Sequence, residues 1–197
     1  MTQGIAVFGL NGSGKSTLAH ALAKKIRYFE MDVEDYYFPE QSASRRWSLE
    51  NDSIAETFHL GPLPFSVSKT AEEADAAILE DIRKHPQFIL SGVTVSRCQE
   101  ILSRIDIAFW VRVPVAERLR RMKAREEKRF GARVLAGGDM FAQQETFRKM
   151  VQSRDEKSVE EWAKRLTCPV VMLDGTLPIA DNLKNICNAL DLLETGC

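Results

Sequence analysis

The chain has little of what builds metal centres, disulfide frameworks or membrane spans. Its 197 residues include four cysteines and three histidines. Cys98, Cys168, Cys187 and Cys197 show no C-x-x-C spacing and have no histidine cluster beside them, which argues against zinc and against a disulfide scaffold. Reduced thiols in a cytoplasmic protein are the expectation. No apolar run is long enough to cross a bilayer, and no charged leader followed by a long apolar segment precedes the first predicted strand, so no membrane partner is expected. An excess of one charge is missing as well. Lys plus Arg number 27 against 28 for Asp plus Glu, a net charge of -1, so no global field draws in nucleic acid. There is no internal repeat and no low-complexity segment. What remains is a chain that is 44% hydrophobic, enough to bury the core of one domain and short for two.

Short apolar runs recur between helical patterns, as in a parallel sheet with crossover helices. Strands are predicted at Ile5 to Phe8, Tyr28 to Met31, Phe88 to Leu90, Ile105 to Val113 and Val170 to Leu173. Helices are predicted at Ser16 to Ile26, Thr70 to Lys84, Val95 to Leu102, Pro114 to Arg129, Asp139 to Leu166 and Ile179 to Leu192, with Pro114 in a first turn and Asp139 as an N-cap. The class is α/β, with five parallel strands and helices on both faces. Two stretches interrupt the alternation and read as mobile substrate-covering elements: 36–69, with several prolines and Arg45-Arg46-Trp47, and 118–138, dense in arginine and ending in glycines.

Directly after the first strand comes Gly9-Leu10-Asn11-Gly12-Ser13-Gly14-Lys15-Ser16, then Thr17. This strand, glycine-rich loop, helix arrangement is a triphosphate site. Backbone N–H groups must converge on phosphate oxygens, and Gly9, Gly12 and Gly14 let them approach; Asn11 and Ser13 belong to the same loop. Lys15 reaches the β- and γ-phosphates, Ser16 offers Mg²⁺ a hydroxyl, and Thr17 takes an α-phosphate oxygen. ATP and Mg²⁺ are the cofactors this implies. A plain glycine-rich turn has no need of Lys15-Ser16 behind it.

Glu30-Met31-Asp32-Val33-Glu34-Asp35 follows at the end of the second strand, the edge where open α/β sheets bind ligands. Glu30 and Asp32 point the same way if the strand reaches Asp32. Asp32 can accept a proton from an attacking hydroxyl or hold the Mg²⁺ shell through water, and Asp35 is placed to cap the next helix. A solvated acidic loop is the plain alternative. Arg118, Arg121, Arg125 and Arg129 step by three, four and four along one helical face. They can close over a migrating phosphoryl group, Arg121 and Arg125 foremost, or simply pair with Glu117, Glu126 and Glu127. Arg133, Arg148 and Arg154 are weaker candidates for the returning side of this lid. Arg45 or Arg46 can grip an acidic group of the acceptor, with Trp47 or Phe38 against a ring, or be surface and core. Asp174-Gly175-Thr176 is a turn placed to pass beside a nucleotide base. Phe141, Phe147, Val151, Trp162 and Leu166 read as core, and His20, His59 and His85 are isolated.

With these parts placed, the chain resembles the nucleoside monophosphate kinase-like branch of P-loop proteins, which includes adenylate, shikimate and gluconate kinases. The resemblance rests on Gly9 to Thr17, on Arg104-Ile105-Asp106 through Val113-Pro114 to Arg121-Met122-Lys123-Ala124-Arg125, and on Asp174-Gly175-Thr176 as the adenine-side loop. It implies a P-loop three-layer fold with strand order 2-3-1-4-5, transfer of the γ-phosphate of ATP with Mg²⁺, and Glu30 with Asp32 as the paired acids that orient an acceptor hydroxyl. It implies Gly175 and Thr176 against the nucleotide. One departure is Ser91-Gly92, where many such kinases have Asp-Gly. The reading is one P-loop kinase domain over 1–197, acting on a small-molecule acceptor. The alternative is a nucleotide-dependent switch with no acceptor. Against the switch, no strand ends in the Asp-Glu pair of AAA-type machines, and no Asn-Lys-x-Asp is present to read guanine.

Overall fold

A computed structural model of the chain describes residues 2–50, 65 and 67–195. Five strands, β1 (Gly4–Phe8), β2 (Phe29–Asp32), β3 (Phe88–Gly92), β4 (Ile107–Arg112) and β5 (Val170–Asp174), form one sheet in the order β2-β3-β1-β4-β5. Every pairing is parallel, with Ala6 opposite Leu90 on one side and Ala108 on the other. The α/β fold is the one the sequence predicts, and the strand order is the one the resemblance implies.

Both faces of this sheet are covered, which is why its central strands are almost continuously apolar. Alternation along β1 sends Ala6 and Phe8 to one core, with Leu90, Ala108, Trp110, Ile78 and Trp162. Ile5 and Val7 go to the other, with Ile89, Phe109, Leu18, Leu22 and Ile186. The second core is closed by α1 (Lys15–Ile26) and α9 (Ile179–Thr195). In α1 the buried Leu18, Ala19, Leu22 and Ala23 share one face, and Lys24 and Lys25 complement the carbonyl end. The first core is closed by α4 (Ala71–Lys84), whose Thr70 and Glu73 form a reciprocal capping box, together with α5 (Gln99–Leu102) and α8 (Lys157–Ala163).

The remaining elements sit around the carboxyl edge of the sheet: α2 (Val33–Tyr37), α3 (Ser42–Glu50), α6 (Val115–Phe130) and α7 (Phe141–Ser153). Three sequence expectations are corrected here. Asp139 does not cap α7; it pairs with Arg133 at 2.7 Å, and the helix starts after Met140. The single helix expected over Asp139 to Leu166 is two, because Arg154 is extended and Asp155 Oδ1 accepts from Lys157 N at 3.0 Å to start α8. The helix expected from Val95 begins only at Gln99, since Ser96 Oγ turns the chain by accepting from Cys98 N at 2.9 Å. His59, Gly61, Pro62, Pro64 and Cys197 lie outside the described residues, as does most of the expected insertion after residue 50. Among the described residues no helix is long and apolar enough to cross a membrane.

Candidate active site

The loop between β1 and α1 is shaped by its glycines. Gly12 has a φ of 81°, and a Cβ there would fall 2.4 Å from the Arg118 carbonyl oxygen, so both its backbone conformation and its packing against α6 require glycine. Gly14, at φ 88°, is the left-handed N-cap of α1. The loop ties itself with Ser13 N donating to the Leu10 carbonyl at 3.1 Å and Leu18 N donating to Gly14 O at 2.9 Å. The amides of Gly12, Gly14, Lys15, Ser16 and Thr17 donate to no acceptor among the described residues. A row of amides at the positive end of a twelve-residue helix is an anion cradle.

Lys15 stands over this cradle. Burial lowers its pKa from the ordinary value; Asp32 and Glu34 oppose that shift, while Arg125 and Arg154 add to it. It forms no ion pair within 4 Å among the described residues, so its ammonium is oriented by the field rather than spent on a partner. Ser16 is the second residue of α1, one step past Lys15. No group of three or more His, Cys, Asp or Glu among the described residues can hold a metal.

Asp32 ends β2 and is 2% exposed. Its Oδ1 accepts from Glu34 N at 3.0 Å and its Oδ2 from Ser91 Oγ at 3.1 Å. It is the N-cap of α2, so the capping role expected of Asp35 belongs to Asp32. Each oxygen accepts one hydrogen bond and keeps a second lone pair. Ser91, near the end of β3, fixes this carboxylate together with the Glu34 amide. Arg45 comes across from α3 and lies 3.5 Å from Glu30, 3.6 Å from Asp32 and in a bidentate pair with Asp35, whose Oδ1 it reaches at 2.8 Å. Burial works against its charge, but the Asp35 hydrogen bonds and the Asp32 and Glu30 carboxylates outweigh it and hold its pKa up. Glu30 and Asp32 thus face one cation, as strand alternation requires. That cation is engaged by three carboxylates within the protein.

The arginine stripe of α6 divides along its length. Arg118 is buried and structural, donating from Nε to Val113 O at 3.2 Å and from Nη1 to Asn11 O at 3.3 Å. Arg121 donates to Gly175 O at 2.9 Å and Ser13 O at 3.5 Å, and pairs with Glu117 at 2.7 Å. It therefore joins the phosphate loop to the turn after β5. Gly175 is needed there, because a Cβ would lie 2.6 Å from Val111 and Val113 and 2.9 Å from Ser13 O. In the same turn Asp174 Oδ1 accepts from Thr176 N at 2.8 Å and Thr176 Oγ1 at 2.6 Å. Arg129 is buried, its guanidinium 5.8 Å from the ring centre of Phe65 and 5.1 Å from that of Phe130. Burial, with Arg125 adding to it, brings its pKa down to about 10.

Arg125 lies between two cavities. One, of ≈ 580 Å³, is bounded by Gly12, Gly14 and Thr17 of the loop, by Arg121, and by Gly175, Leu177, Pro178 and Ile179 after β5. The other, of ≈ 520 Å³, is bounded by Asn11, Lys15, Asp32, Glu34, Arg129 and Arg154, with Phe38, Phe65, Phe130 and Phe147 as its apolar wall. Arg125 lines both.

A family model described as an AAA domain matches residues 5–136, more than half of the chain. The chain belongs to this AAA-domain family. Its match covers the phosphate loop, β1 to β4 and α6, yet β3 closes with Ser91-Gly92 in place of an Asp-Glu pair. Over its whole length the chain is 24% identical to all of "Uncharacterized protein YqaC" of Bacillus subtilis (strain 168). Its fold is similar to that of a shikimate kinase from Bacteroides thetaiotaomicron, with a TM-score of 0.56 at 16% identity, covering 96% of this chain and 98% of the other. It is also similar to a deoxyadenosine kinase from M. mycoides with bound dATP, with a TM-score of 0.52 at 15% identity, covering 95% and 98%. The AAA-domain chain thus shares the fold of small-molecule kinases.

Several lining residues were not singled out by the sequence. Glu34 faces the ≈ 520 Å³ cavity with no ion pair among the described residues, and its only sequence signal was membership of the acidic run. Phe147, read as core, lines that cavity. Trp162, from the same stripe, is core, its ring 5.0 Å from Phe8. Arg154 reaches the loop, donating to Asn11 Oδ1 at 3.0 Å, whereas Arg133 and Arg148 are held by Asp139 and by Glu126 with Glu145. Burial raises the pKa of Glu126, with Arg148 opposing.

Proposed function

We propose that this protein is an ATP-dependent phosphotransferase that moves the γ-phosphate of ATP to a hydroxyl of a small molecule. The candidate acceptor classes are a nucleoside, a nucleotide, and a small hydroxy acid or sugar acid. The observation that carries this reading is the pair of cavities flanking the phosphate loop, with Arg125 lining both. A hydrolytic switch needs one nucleotide site; a transferase needs a second chamber against the same phosphates.

In this reading the nucleotide base lies beside Gly175, Thr176 and Leu177. Its phosphates rest on the amides of Gly12 and of Gly14 to Thr17, and the segment 118–138 covers the reacting groups. Ser16 would hold a magnesium ion arriving with the nucleotide, and that ion would supply neutralising charge to the phosphates. The acceptor hydroxyl oxygen bonds to the γ-phosphorus as the bond from that phosphorus to the β,γ-bridging oxygen breaks. ADP leaves with the electron pair. The hydroxyl proton passes to a carboxylate, with Asp32 fixed to orient the hydroxyl and Glu34 beside it in the same cavity. Lys15 and Arg125 carry the charge that builds on the phosphoryl group. Arg45 acts one step back, holding Asp32, Glu30 and Asp35 in place.

The test is ADP release from ATP·Mg²⁺ against a panel of nucleosides, nucleoside monophosphates, shikimate and gluconate, with a no-acceptor control. Acceptor-dependent release is expected. Equal release in the control supports a nucleotide-dependent switch instead.

A further inference from the structure

The wall of the ≈ 520 Å³ cavity is unlike a site for a small, densely hydroxylated acid. Phe38 and Phe65 meet edge to face with ring centres 5.3 Å apart, and Phe130 and Phe147 extend the same surface. Sugar or hydroxy-acid hydroxyls against such rings would lose their water and gain no hydrogen bond from the rings themselves. A flat heterocycle fits these rings, and the volume lies in the range of small-molecule sites.

Two polar groups interrupt this wall. Gln144 is 4% exposed and lines the cavity beside Glu126. Glu126 is 3% exposed; one of its oxygens is taken by Arg148, and Oε1 has no partner. Buried polar groups of this kind carry a desolvation cost unless something pairs with them. A carboxamide offers a donor and an acceptor side by side, the complement of a nucleobase edge with its own adjacent acceptor and donor.

We propose that the acceptor is of the nucleoside class: a planar heterocycle seated among Phe38, Phe65, Phe130 and Phe147, with its hydrogen-bonding edge toward Gln144 and Glu126. The sugar it carries presents a hydroxyl toward Lys15, Asp32 and Glu34. This rests on the phosphotransferase reading, which narrows from several acceptor classes to one.

The experiment has two arms on the full chain. In the first, the common ribo- and deoxyribonucleosides, their 5′-monophosphates, gluconate, shikimate and ribose are compared as acceptors for ATP·Mg²⁺. In the second, binding of the same compounds without ATP is measured by calorimetry. The expected result is turnover with at least one nucleoside or nucleoside monophosphate and none with gluconate, shikimate or ribose. Gln144→Leu then lowers kcat/KM for that acceptor by about 10²-fold while the KM for ATP stays within about twofold. Phe147→Ala lowers it by about tenfold. Gln144→Glu keeps the volume and removes the donor, so it changes the ranking of bases, which a purely structural role would not do.

Turnover with gluconate or shikimate and none with any nucleoside overturns this inference and leaves the phosphotransferase reading standing. Nucleoside binding with no transfer overturns the phosphotransferase reading and leaves the ring site standing. No binding and no transfer overturns both. Unchanged kcat/KM and unchanged base ranking in all three variants overturns the placement of the ring.

Discussion

The two cavities beside the phosphate loop are close in size, ≈ 580 and ≈ 520 Å³, but they are built from different material. The first is largely backbone and small or aliphatic side chains: Gly12, Gly14 and Gly175, then Leu177 to Ile179. Its geometry follows from local chain shape, since Gly12 and Gly175 permit approaches that any Cβ would block. The second is built from side chains that converge from distant parts of the sequence, including Asp32 from β2, Arg129 from α6, Gln144 and Phe147 from α7, and Arg154 from the break before α8. A nucleotide triphosphate is the same for every enzyme that uses it, and backbone suffices to hold it. An acceptor is particular, so it is read by side chains that differ from one enzyme to the next.

The substitution with the largest effect strikes the phosphate loop. Lys15→Met is expected to lower transfer by about 10³-fold or more, with the thermal midpoint little changed, as measured by initial rates and calorimetry. A variant that transfers at the wild-type rate would break the scheme. Arg125→Ala is next, with kcat lowered by about 10²-fold and both KM values moved by less than about threefold, because this residue borders both chambers. Arg121→Ala is expected to act on one side alone. Losing its bonds to Gly175 and Ser13 should raise the KM for ATP by about tenfold, with the acceptor KM unmoved; a change confined to the acceptor KM would reverse the assignment of the chambers.

Smallest is the effect of Glu126→Gln on stability. The folded-state pKa of Glu126 lies above its ordinary value of 4.5, mainly through burial. Its contribution is therefore fully present below pH 4.5 and is lost as pH rises through the folded value. Relative to Glu126→Gln, the wild-type melting temperature should fall by about 2 °C as pH rises across that interval. Parallel curves for the two proteins would show that Glu126 is not held in the environment described.

The contrast between the chambers also explains what the sequence disclosed. The phosphate loop and the five strands were legible because each is contiguous: Gly9 to Thr17 in one run, and every strand but the alternating β2 as one apolar segment. The acceptor-side chamber was not, because its parts are assembled by tertiary packing. Phe147 and Trp162 have the same helical spacing signal, yet a break at Arg154 sends one to the cavity and the other to the core. Four arginines in register on α6 looked alike, and only packing separates a structural Arg118 from a loop-joining Arg121 and a shared Arg125. Arg45 was legible as a cation near the site, but its engagement by three carboxylates depends on how α3 returns over β2. The caps went astray for a simpler reason: Asp32 and Asp35 both suit an N-cap, and the end of β2 decides between them.

Initial rates measured while ATP and acceptor concentrations are varied together test the central claim most directly. The acceptor is the compound that gives the fastest ADP release in the panel. Two chambers on either side of one loop must be filled at once, so double-reciprocal lines that intersect are predicted. Parallel lines, the mark of a phosphorylated protein intermediate with the substrates bound in turn, would contradict it.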